Sequence, residues 1–178
     1  TFVFDSIGSI RPRTANPPTL VALAQFSRRA PDAKWKMVLV GEGAERAALT
    51  AQAKELGIEN NVIFTGFQNT PFDYLATFDA FILASKSEGL PRVVLEAMLL
   101  KIPVIGSQVT GTAELLDHES TGLLFPWSDV SQLAQHLNNI WADADLRARL
   151  AAAAYQNVCH TYAIENYVSG VEAVLGAH

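Results

Sequence analysis

Along this chain, short and mostly apolar runs of strand length alternate with stretches of helical character, and that alternation constrains the fold more than any other feature. The runs cover residues 2–7, 37–40, 62–64, 80–84, 103–106 and 122–125. Helical stretches follow at 18–29, where Leu20, Leu23, Ala24 and Phe26 recur with helical spacing, and at 44–56, 71–78, 91–100 and 111–116. Gly57 supplies a stop for the second of these. From residue 128 onward the pattern is nearly all helix, with a break expected near His160 and a last helix over 164–175. About six strands, each followed by a helix, predict an α/β fold: a Rossmann-like, doubly wound parallel sheet with helices on both faces. The runs lack polar–apolar alternation, as strands buried on both faces do. No repeat, linker or low-complexity segment divides residues 1–178, which read as one domain.

In such a sheet ligands bind beyond the carboxyl ends of the strands, so functional residues are expected in loops that open helices. Composition narrows what those ligands are. The net charge of −5 and the absence of a long basic face argue against nucleic acid. Cys159 is the one cysteine, so no internal disulfide forms, and with only four histidines no zinc set emerges. No run of eighteen apolar residues predicts a membrane span, and residues 1–10 carry no signal-peptide pattern. A reducing cytoplasm fits best. The chain opens directly on strand-like sequence without Met, the look of a piece of a longer protein.

Four loops carry candidate chemistry. Gly8-Ser9-Ile10-Arg11-Pro12-Arg13 places two guanidiniums at the sheet mouth; phosphate binding and solvated surface charge weigh equally there. Gly41-Glu42-Gly43-Ala44-Glu45-Arg46 begins like a dinucleotide fingerprint. It has Arg46 where the third glycine belongs, and Glu42 would repel a pyrophosphate, so a tight turn is the favoured reading. The stretch from Ser85 to Glu96 is the most informative. There a strand end leads into Glu88-Gly89, and Pro91 can open a helix whose free N–H groups suit a diphosphate. Glu88 and Glu96 then flank that helix start, one suited to sugar hydroxyls and the other to a ribose. Spacing alone would favour a loop charge and a dipole-stabilising helix residue instead. In the fourth loop, Gln108 to Glu114, Thr112 as an N-cap is the economical reading, with ligand contact through Gly111 as the alternative. The histidines at 118, 136, 160 and 178 fall outside these loops and read as surface or packing residues, and Trp127 and Trp141 read as packing or domain-interface residues rather than stacking platforms.

The segment Ser87-Glu88-Gly89-Leu90-Pro91-Arg92-Val93-Val94-Leu95-Glu96-Ala97-Met98, followed by Lys101-Ile102-Pro103-Val104-Ile105, resembles the signature of family 4 glycosyltransferases. Gly111-Thr112-Ala113-Glu114 and Thr121-Gly122-Leu123-Leu124-Phe125-Pro126 continue the resemblance in order, as do Leu39-Val40-Gly41-Glu42-Gly43 and Val62-Ile63-Phe64-Thr65-Gly66-Phe67 upstream. It covers nearly the whole chain.

The resemblance implies the C-terminal half of a GT-B fold. This half would hold a nucleotide-diphospho-sugar donor, and a missing N-terminal domain would hold a glycan or lipid-linked acceptor. Transfer would retain anomeric configuration without a metal or other cofactor, by front-face attack of the acceptor. The missing domain would offer a route to the inner face of the membrane. Carried over by motif, Glu88 would contact the donor sugar and Glu96 the ribose. Backbone amides of Gly89, Leu90, Arg92 and Val93, around Pro91, would hold sugar and phosphate oxygens, and Gly66 and Phe67 would lie near the base. Gly8, Ser9 and Gly41 complete the donor-binding set. The chain departs from the pattern in its first loop: the family's Gly-Arg-Leu is Gly8-Ser9-Ile10 here, and no lysine precedes Lys34. Arg11 or Arg13 would have to substitute near the chemistry. The alternatives are a nucleotide-sugar epimerase of related fold, for which no acid/base pair is found, and a nucleotide-binding module without chemistry.

Overall fold

The structure is a computed structural model, and it describes residues 1–10 and 17–162. Six strands form one sheet: β1 (Phe2–Ile7), β2 (Trp35–Val40), β3 (Val62–Gly66), β4 (Ala80–Leu83), β5 (Val104–Ser107) and β6 (Leu123–Phe125). They lie in the order β3-β2-β1-β4-β5-β6, every neighbouring pair parallel. The helices are α1 (Pro17–Arg29), α2 (Arg46–Glu55), α3 (Pro71–Leu75), α4 (Arg92–Leu99), α5 (Thr110–Ala113), α6 (Val130–Ala142) and α7 (Ala144–Thr161). The expected doubly wound α/β sheet is therefore present.

Successive strand side chains point to opposite faces, and because both faces are apolar each strand feeds two cores. In β4, Ile82 joins Phe4, Leu20, Phe26, Met37, Phe125 and Leu133, the core beneath α1 and α6. Its neighbours Phe81 and Leu83 join Val94, Met98, Val104, Leu124 and Val158, the core beneath α4 and α7. Phe26 stands edge-on to Phe4, Trp35 and Trp141, with ring centroids 5.6, 6.0 and 5.8 Å away, and locks α1 to the sheet and to α6. Trp141 is thus a packing residue, as its position in the sequence indicates.

Several boundaries differ from the sequence reading for local reasons. The C-terminal helical region ends a helix near His160, as expected, with α7 closing at Thr161, but it also breaks earlier, at Asp143. The Asp143 carboxylate accepts the N–H of Leu146 at 2.8 Å and starts α7 afresh. The expected helix over 164–175 lies outside the described residues. α2 ends where Gly57 was expected to stop it: Gly57 takes φ +70°, and its N–H and that of Ile58 return to Lys54 and Ala53. Among the described residues no helix is long and apolar enough to cross a membrane.

Candidate functional site

After β1, β2 and β3 the chain has built one side of the sheet; β4 then lies on the other side of β1. Two adjacent strands whose connections leave in opposite directions open a crevice at their carboxyl ends. A cleft of about 480 Å³ occupies that position. One wall is Ser6 to Ile10, closing β1; the other is Leu83 to Ser85, closing β4, together with Glu88 and the start of α4. Gly8, Ser9, Glu88, Leu90, Pro91, Arg92, Val93 and Glu96 all line it. An adjoining hollow of about 250 Å³ shares Ile7, Gly8, Ser9 and Val40, and is closed by Gly41, Phe67 and Gln68. Phe67 stands 75% exposed on its rim. Gly66 and Gly89 line neither space among the described residues. Arg11 and Arg13 lie outside the described residues.

The first wall is held by its neighbour strand. The N–H groups of Gly8 and Ile10 donate to the carbonyls of Val40 and Glu42, both at 3.0 Å, which extends the β1–β2 ladder past the sheet. The approach is close enough to require glycine. A Cβ on Gly41 (φ +144°) would stand 2.0 Å from the Gly8 carbonyl oxygen. The second glycine-bearing loop is thus a tight turn serving the first, and Gly66 supports it by accepting the Gly41 N–H at 3.0 Å. Glu42 is paired with Arg46, so its carboxylate is partly neutralised by a side chain of the same loop.

The second wall is held in the same manner. Gly111 donates its N–H to the Glu88 carbonyl at 3.2 Å, and a Cβ there would lie 1.9 Å from the Gly89 oxygen. The Gly111 amide therefore serves the protein's own loop. Below it, the buried Ser107 Oγ donates to the Ser85 carbonyl at 2.7 Å and accepts the Ser85 N–H at 3.1 Å, fixing the point where the chain leaves β4. Thr112 is not an N-cap. Val109 precedes α5 in extended conformation, no side chain caps it, and Thr112 is fully buried with its Cγ2 against Gly106.

The start of α4 is open. Pro91 occupies the N-cap position and no side chain caps the helix; of the N–H groups in its first turn, that of Val94 donates to the Pro91 carbonyl at 2.9 Å, and no side-chain acceptor claims the others. Half-buried Glu88 and Glu96 flank that start. The arrangement offers N–H donors with a helix dipole in the middle and a carboxylate on each side, which suits an anion bearing hydroxyl groups at both ends.

These motifs, in this order and on this fold, match the family described as Glycosyl transferases group 1 over residues 2–157. The chain belongs to that family. Among its group 1 relatives, the N-acetyl-alpha-D-glucosaminyl L-malate synthase of Bacillus anthracis is 31% identical over 149 residues, which are 84% of this chain and 39% of that protein. The structure of Anabaena HepE in complex with UDP superposes with a TM-score of 0.89 at 26% identity, covering all of this chain and 49% of HepE. The C-terminal domain of the group 1 protein LpcC from Francisella tularensis gives 0.80 at 26%, covering 90% of this chain and 86% of that domain. The chain thus spans well under half of the curated relative and nearly all of a C-terminal domain.

Sequence reasoning missed two features. Asp5, in the middle of β1, is fully buried with neither carboxylate oxygen hydrogen-bonded, and burial pushes its carboxyl up to about 8. Nothing but a polar residue inside a strand run hinted at it. The second is a pair of histidines on the sheet's edge. His118 Nδ1 accepts the Leu124 N–H at 3.0 Å and His136 Nε2 lies 3.1 Å from the Leu124 carbonyl, so the outer side of β6 is closed by side chains. Burial holds the His136 ring below its ordinary pKa. Among the described residues no three His, Cys, Asp or Glu side chains come together as a metal site.

Proposed function

We propose that this chain is the donor half of a retaining glycosyltransferase and holds a nucleotide-diphospho-sugar in the cleft between β1 and β4. The observation that carries the reading is the uncapped start of α4 between Glu88 and Glu96 at the switch point of the sheet. The diphosphate lies against the α4 N–H groups, Glu96 binds the ribose, and Glu88 fixes the hydroxyls of the sugar. The base occupies the smaller hollow beside Phe67. As transfer proceeds, the bond from the anomeric carbon to the phosphate oxygen breaks. The acceptor oxygen bonds to that carbon from the same face, and its proton passes to the departing phosphate. Fixed N–H donors aimed at the charge developing on that phosphate lower the barrier, and Glu88 lowers it by orientation. Glu88 is a positioning residue in this scheme. The scheme uses no metal. A glycan or lipid-linked acceptor would sit on a companion N-terminal domain, and the likeness to the LpcC C-terminal domain supports that division. A cytoplasmic setting at the inner membrane face follows from such an acceptor.

A thermal-shift panel of UDP, ADP, GDP and dTDP, each with its diphospho-sugars, tests the reading. UDP is the first to try, given its presence in the HepE complex. A ligand at a hundredfold its Kd stabilises by about 2.7 kcal/mol, a shift of roughly 5–10 °C at this size. Selective stabilisation by one nucleotide, abolished by Glu96→Gln, is the expected result. No shift with any nucleotide, for this chain and for the full-length protein alike, would overturn it.

A further inference from the structure

We infer that Arg92 supplies the positive charge that grips the donor's diphosphate, through its guanidinium and not only through its backbone. The inference rests on the donor-site reading above.

The electrostatics of the cleft require such a group. Glu88 and Glu96 put two carboxylates on its walls, and a nucleoside diphosphate brings further negative charge between them. Helix N–H groups carry only about half a positive charge at a helix start. Among the described lining residues Arg92 is the one cationic side chain. Lys86, on the same loop, has its ammonium over the Trp127 ring at 4.4 Å and is not among the lining residues. Ser9 stands in the first loop where the resemblance expects an arginine.

Arg92 is also placed to act. It is the first residue of α4, where side chains lean back toward the helix start, and it is exposed. Arg92 and Glu96 are four residues apart, a spacing at which helix residues pair. Yet the ion pairs among the described residues are Arg46–Glu42 and His118–Glu119, and Arg92 belongs to neither. Cation and carboxylate both line the cleft without neutralising each other. A planar guanidinium can hold two phosphate oxygens at once, so one arginine suffices for a diphosphate.

The test titrates UDP, ADP, GDP and dTDP, each beside its own phosphate-free nucleoside, into the wild-type chain and its Arg92→Gln and Arg92→Lys variants by calorimetry. Circular dichroism checks the fold of each. Arg92→Gln is expected to weaken the preferred diphosphate about ten- to a hundredfold and leave its nucleoside unchanged, with Arg92→Lys in between. Equal diphosphate binding by Arg92→Gln and wild type would overturn the inference and leave the donor site standing; an Arg11→Ala/Arg13→Ala double variant would then show whether the first loop carries the grip. Equal loss of nucleoside and diphosphate would assign Arg92 a structural role and also overturn it, as would diphosphate binding that vanishes in EDTA and returns with magnesium. If neither the wild-type chain nor the full-length protein binds any diphosphate, the donor-site reading and this inference fall together.

Discussion

The helices beside the cleft and those at the far end of the chain begin in different ways. α6 and α7 cap themselves: Asp129 accepts the N–H of Gln132 at 2.9 Å, and Asp143 that of Leu146 at 2.8 Å. α4 opens on Pro91, α5 on Val109 and α3 on Thr70, and none of them has a side-chain cap. The same contrast holds for the strands. On the edge strand β6 the Leu124 backbone is met on both counts by histidines, whereas β1 carries a buried and unpartnered Asp5 two residues before the cleft-lining Ile7. The far end satisfies its helix starts and the Leu124 backbone, though the buried Trp127 Nε1 and His136 Nδ1 stay without a partner there; the cleft side leaves its helix starts open. A protein tolerates unsatisfied donors where a ligand is to supply the acceptor.

The largest way to break this contrast is at Asp5. Its folded pKa, about 8, lies above the ordinary 3.8, so its contribution to stability is greatest below pH 4 and is lost as pH rises toward 8. At about 1.36 kcal/mol per unit, Asp5→Asn is expected to gain up to several kcal/mol at pH 8 and to flatten stability between pH 4 and 8. Urea denaturation across that range measures both. At Gly111, a methyl group would push the Glu88–Gly89 loop off its seat. Gly111→Ala should cost about 1–3 kcal/mol and weaken nucleotide binding, although Gly111 lines neither cleft space among the described residues.

Exchanging the caps sharpens the comparison. Asp129→Ala and Asp143→Ala should each cost about 1 kcal/mol of stability without changing nucleotide affinity. Pro91→Ser should do the reverse: a hydroxyl cap stabilises α4 by about 0.5–1 kcal/mol and competes with the diphosphate for the same N–H groups. Thermal melts with and without nucleotide read both effects. The smallest effect is at His136. Its pKa is depressed by burial, so its stabilising share is full above the ordinary 6.5 and is lost as pH falls through the folded value. His136→Gln, which keeps a donor for Leu124, should show a shallower loss of stability toward pH 5.

How far this was legible in the sequence depends on whether a feature is local. β1 was readable to the residue despite Asp5 and Ser6, because the flanking apolar residues fill both faces. The start of α4 and the flanking Glu88 and Glu96 were readable because Pro91 and the helical pattern behind it set them at fixed spacing. β2 runs two residues further back than its apolar stretch, to Trp35, which tertiary packing against Phe26 buries. α2 starts two residues later than its helical pattern, at Arg46; just before it the Glu45 N–H donates to the Ile10 carbonyl at 3.3 Å, a contact with the first loop. The Asp143 cap was visible as a residue type, but the helical pattern on both sides masked it. The service of Gly41 and Gly111 to loops far away in sequence, the strand order and the solitude of Asp5 are contacts across the sheet, which no local pattern records.

The central claim is that the open helix start between β1 and β4, and not any self-capped one, receives a nucleoside diphosphate. Amide chemical-shift mapping of the chain during titration with UDP, ADP, GDP or dTDP tests it most directly. The account predicts shifts concentrated at Gly8, Ser9, Gly89, Arg92 and Val93, with the amides of Gln132 and Leu146 unmoved. Shifts centred on α6 or α7, or spread without focus over the surface, would contradict it.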